Sequence, residues 1–132
     1  MEVIEASGYR LDLEYEAPLL RARVTGGHDT GLSVTCEYWL RILQEVRDRG
    51  ASQLLVLDRM QGEVMQDEDL RRFFDVLAGK GMEAVRLAYV EGRADQIPRI
   101  EYAELMARER GYDVRIFNSE SDASVWLRHG VR

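Results

Sequence analysis

Cysteine is almost missing: Cys36 is the single one in 132 residues. One thiol makes no intramolecular disulfide and cannot furnish a cysteine-based zinc site. That usage suits a reducing cytosol. Lysine is as scarce, since Lys80 stands alone and the other 17 basic residues are arginines, a bias expected of a GC-rich bacterial coding sequence. Long apolar runs are absent. No window approaches the ~20 residues of a bilayer span, and Met1-Glu2-Val3-Ile4-Glu5 lacks the basic start of a signal peptide. Nor is positive charge in excess. With 18 basic and 24 acidic residues the net charge is -6, and arginines alternate with acids along most of the chain. Nucleic acid, which is bound through pooled positive charge, is therefore not an expected partner. An anionic membrane surface is not expected either.

A further absence bears on catalysis. From Gln53 to Asn118 there is no Ser, Thr, His or Cys, the types that supply most nucleophiles and bases. A hydrolytic triad would have to come from the chain's two ends, around His28 or His129. No G-x-G-x-x-G or Walker A pattern occurs, and Gly79-Lys80-Gly81 reads as a helix end.

The remaining composition is that of one globular domain, 1–132. Hydrophobic residues make up 45% and charged residues 32%. A chain this long buries roughly two thirds of its unfolded surface and needs no staple. Tyr9, Leu11, Leu13 and Tyr15 alternate with Arg10, Asp12, Glu14 and Glu16, the period of a half-buried strand. After Ala17-Pro18, Leu20, Ala22 and Val24 alternate with Arg21 and Arg23, so a hairpin with facing charges is expected. The spacing of Cys36, Trp39, Leu40 and Leu43 predicts a helix from Ser33 to Arg49, stopped by Gly50. The continuous apolar run Leu54-Leu55-Val56-Leu57, closed by Asp58, marks a strand covered on both faces. Asp67, Glu68 and Asp69 open a second helix at its favourable end, with Leu70, Phe73, Phe74 and Leu77 inward. A strand over 84–90, a helix from Pro98 to Arg110, a strand at Val114–Phe117 and a terminal helix with Ala123, Trp126 and Leu127 follow. Ser119 and Asp122 resemble that last helix's cap. The predicted class is α/β, in the order β-β-α-β-α-β-α-β-α, with a mixed, mostly parallel five-stranded sheet and four helices.

This order, with strands Leu54–Asp58 and Ala84–Val90 and the ending Phe117 then Ala123-x-x-Trp126-Leu127, resembles the STAS-like group (sulfate transporter and anti-sigma factor antagonist), to which lipid-carrying CRAL-TRIO domains are related. The resemblance spans nearly the whole chain and implies an interaction or ligand-binding module. Anti-sigma antagonists carry a switch Ser or Thr after the central strand, where phosphorylation adds roughly two negative charges. Here that stretch reads Asp58-Arg59-Met60-Gln61-Gly62-Glu63-Val64-Met65-Gln66-Asp67. Asp58 matches the family's acid and the hydroxyl is missing. The implied contact surface is Asp58, Arg59, Gln61, Gly62 and Glu63 with Asp67, Glu68, Arg71 and Arg72 of the next helix. An ordinary solvated helix face with i, i+4 pairs accounts for the same charges.

A second cluster lies between the hairpin and the first helix. Gly26, Gly27, His28, Thr30 and Ser33 precede a helix start, where free N–H groups bind anions; a helix cap with glycine turns uses the same residue types. His28-Asp29 with Asp58 or Glu63 offers ligands for a divalent metal without any spacing signature, so neither metal nor cofactor is expected. The leading expectation is a non-catalytic cytosolic module that binds a protein partner, a second copy of the chain included. The runner-up is a carrier of a lipid or other small apolar ligand, in a cavity between sheet and helices lined by Met60, Met65, Phe73 or Phe74. Third is an enzyme using Asp58, Glu63 and Arg93.

Overall fold

In the computed structural model, which describes residues 1–129, six strands form one sheet in the order β1-β2-β3-β4-β5-β6. They are β1 Glu2–Ala6, β2 Tyr9–Glu16, β3 Leu19–Gly26, β4 Gln53–Arg59, β5 Arg86–Glu91 and β6 Asp113–Phe117. The helices are α1 Leu32–Arg49, α2 Asp67–Leu77, α3 Ile97–Glu109 and α4 Glu120–His129. Short 3-10 turns sit at Met82–Ala84 and Ala94–Gln96.

The expected five strands are therefore six. β1 was missed because only Ile4 and Ala6 of its five residues turn toward the core, too short an alternation to register. The first two ladders, β1–β2 and β2–β3, are antiparallel and the other three parallel. "Mostly parallel" is thus three ladders of five. The hairpin register is the expected one, with Asp12 opposite Arg23 and Glu14 opposite Arg21. Arg21 reaches Glu14 at 3.6 Å, while Asp12 pairs instead with Arg10 at 3.1 Å.

Strand order follows chain order, so the right-handed crossovers of β3-α1-β4-α2-β5-α3-β6 put α1, α2 and α3 on the same face. The main core lies there, where Leu11, Leu20, Leu54, Val56 and Leu87 meet Trp39, Ile42, Leu43, Phe73 and Phe74. α1 buries Tyr38, Ile42 and Val46 besides the expected stripe, and Leu40 is only partly buried. Its stop is Gly50, at φ 65°, a left-handed conformation that glycine adopts without a Cβ penalty. α4 covers the opposite face, setting Ala123, Trp126 and Leu127 on Leu55, Leu57, Ala88 and Val90. The Ser119 hydroxyl accepts the Asp122 N–H at 3.3 Å, as a cap should. Leu54 to Leu57 are 0% exposed, which is why that run is apolar without alternation.

The sheet's edge at β6 is closed by side chains of α3. Glu104 accepts the Ile116 N–H at 3.1 Å, and Arg108 donates to the Val114 carbonyl at 3.0 Å.

Candidate functional site

Parallel strands β3, β4 and β5 end at the same side of the sheet, where open α/β sheets commonly bind ligands. Their following loops, 27–31, 60–66 and 92–96, are fastened to each other. The Gln61 N–H donates to the Gly27 carbonyl at 3.0 Å. The Thr30 hydroxyl donates to the Glu63 carbonyl at 2.5 Å. Arg93 donates to the carbonyls of Gln61 at 2.8 Å and Gly62 at 2.5 Å. Gln96 accepts the Val64 N–H at 2.8 Å, and Arg99 donates to the Met65 carbonyl at 2.7 Å while pairing with Asp67 at 2.9 Å. A Cβ on Gly62 would run into the His28 carbonyl and the Thr30 side chain, so only glycine lets the two loops approach this closely. The 60–66 segment has no regular secondary structure, but neighbours on both sides hold its backbone.

Beneath it sits a polar cluster. Asp58, at the end of β4, accepts the Met60 N–H at 2.9 Å and the Tyr89 hydroxyl. Glu91 lies across the ladder from Asp58 and is 1% exposed. Its Oε1 accepts the Arg93 N–H at 2.9 Å and faces the Arg93 Nε at 3.4 Å. Burial pushes the Asp58 carboxyl up from the ordinary value, a push that Glu91 reinforces and that the bonds from Tyr89 and Met60 oppose. Burial and the Asp58 charge raise the Tyr89 phenol, and burial raises Tyr38.

A cavity of about 90 Å³ opens below Asp58, between the sheet and α1, α2 and α3. Its walls are mainly apolar and include Trp39, Met65, Phe73, Phe74 and Tyr89. Met60, expected among them, packs instead against Gly26.

Of the sequence-derived contact residues, Arg59, Gln61, Glu63, Glu68, Arg71 and Arg72 are exposed. Asp67 is half-buried against Arg99, Gly62 is buried, and Asp58 is turned inward under the loop. In the 26–33 stretch, His28 and Ser33 are exposed, the Thr30 hydroxyl is taken by Glu63, and Asp29 accepts the Gly31 N–H at 3.0 Å. Gly26 is pressed against Gly8 and Tyr9. Among the described residues no three of His, Cys, Asp and Glu converge as a metal site would require. His28, Asp29, Asp58 and Glu63 are therefore not gathered into one.

Sequence reasoning missed Tyr89, Glu91, Gln96 and Arg99. Glu91 carried the same signal as Asp58, an acid closing an apolar strand. The others reach the site only through tertiary contacts.

No family model matches the chain, and no curated protein does. Among solved structures, an anti-sigma factor antagonist from Mycobacterium paratuberculosis superposes with a TM-score of 0.60 at 14% identity, over 94% of this chain and 97% of that one. The chain shares that protein's fold, in agreement with the sequence's resemblance to the STAS-like group. Among the described residues no helix is long and apolar enough to cross a membrane.

Proposed function

We propose that this protein is a non-catalytic cytosolic interaction module of the STAS-like type, working without a phosphorylatable switch. One observation carries the reading. The 60–66 loop is held on both sides by its neighbours, yet Gln61 and Glu63 stand exposed on it, beside Arg59 at the end of β4 and Glu68, Arg71 and Arg72 of α2. A pre-formed surface binds a protein without first having to be ordered. The fold neighbour's name points to a protein partner as well. No Ser or Thr stands from Gln53 to Asn118, so a serine or threonine phosphate on this loop does not control docking.

The cavity's size also favours protein contact over lipid carriage. Ligand pockets usually measure ~300–1,000 Å³, against about 90 Å³ here.

Affinity capture with the full chain tests the proposal, using the wild type and the charge-reversed pair Glu63→Lys, Arg71→Glu. A partner held stoichiometrically by the wild type, lost by the variant and bound again by purified components supports it. Identical capture by both forms, with circular dichroism unchanged, would move the contact surface elsewhere.

A further inference from the structure

We propose that the cavity under the 60–66 loop binds a small organic cation, an ammonium group on a short alkyl stem. Its walls favour positive charge. Trp39 and Tyr89 stack at 6.3 Å, and Phe73 meets Trp39 edge-on at 6.0 Å. All three line the space. Aromatic faces attract cations through their quadrupoles, more strongly where water is excluded.

The carboxylates add to this. Asp58 and Glu63 line the cavity, and Glu91 lies next to Asp58 across the ladder. Glu91 Oε2 is buried with no hydrogen-bond partner among the described residues. A buried carboxylate oxygen left this way is costly. The nearby cation, Arg93, is already committed to Gln61, Gly62 and Glu91 Oε1. Asp58 and Glu91 thus share one nearby guanidinium, and a ligand that brings N–H donors and positive charge offsets the deficit. An anion would meet the opposite field. A volume of 90 Å³ equals the liquid volume of about three waters, enough for a molecule of three or four non-hydrogen atoms.

The probe is propylammonium, with propan-1-ol as the neutral isostere. Both are titrated into the full chain while amide shifts are followed by NMR. Propylammonium is expected to shift the Met60, Tyr89 and Glu91 amides and to saturate at least about ten-fold earlier than propanol. Glu91→Gln is expected to abolish that preference, so that propylammonium and propanol saturate alike in the variant. Should that variant fail to fold, Asp58→Asn, with an amide of the same shape, gives the second test. Equal saturation by both probes would overturn the proposal and make the cavity a plain apolar void. So would the absence of any shift, or a cation preference that survives both substitutions. None of these outcomes touches the partner surface, whose capture experiment stands separately.

Discussion

The two faces of the sheet are built from the same strands but differ in their cover. Three helices enclose the inner face, leaving a cavity of about 90 Å³ with a polar cluster at its mouth. The ten residues of α4 shield the outer face over β4–β6, and the outer side of β2 and β3 is a ladder of charges with Arg21 joined to Glu14 and, at 3.3 Å, to Glu120 of α4. The difference teaches where polar groups become consequential. On the outer face water shares the work, so an ion pair is nearly neutral in free energy. On the inner face Asp58 and Glu91 have little water to fall back on, and every partner they have is a specific side chain or N–H.

Core truncations should separate the faces most widely. Leu54→Ala, under three helices, is expected to cost about 4 kcal/mol in urea denaturation, whereas Leu57→Ala, under α4, costs about 2–3 kcal/mol because one short helix can settle into the void. Equal losses would mean that α4 is as rigidly held as the inner layer. The polar cluster gives a subtler contrast. The Asp58 pKa is raised in the folded state, so the native protein holds this proton more tightly than the unfolded chain does. Its stabilisation is full below the ordinary value of 3.8 and declines as pH rises through the folded pKa. Melting temperatures of wild type and Asp58→Asn measured against pH should therefore diverge, with the wild type losing ground to the variant as pH rises above 3.8. Parallel curves would remove Asp58 from the account. The smallest effect belongs to the outer ladder, where Arg21→Ala should change stability by less than about 0.5 kcal/mol and Glu14→Ala by no more.

Much of this was legible in the residues because periodicity reports burial. Alternation in Tyr9–Tyr15 and the unbroken run at Leu54–Leu57 told half-covered from fully covered strands. The buried stripes of α2 and α4 fell where i, i+3, i+4 spacing put them. β1 stayed hidden because edge strands need few inward residues. Of the candidate site, the place of Asp58 at the end of β4 and of the loop after it was legible, but not that Asp58 turns inward to Tyr89. Its fastening was not. Thr30 on Glu63, Arg93 on Gln61 and Gln96 on Val64 each join positions more than thirty residues apart, and no local pattern encodes such pairs. Met60 was misassigned to the cavity for a related reason. Hydrophobicity predicts that a side chain is buried, and close packing against Gly26 decided where.

Strand order also has a consequence for how the molecule comes into being. Each strand's neighbours in the sheet are its neighbours along the chain. The sheet can therefore grow by adding each new strand at an edge, and no late strand has to be threaded between two earlier ones. Short sequence separations speed folding, because less chain entropy is lost before each pairing is gained. During synthesis β1 to β3 can form while the rest is still being made, and each βα pair then extends a template already in place. The charged fastening of β6 by Glu104 and Arg108 then closes that edge of the sheet to a further strand.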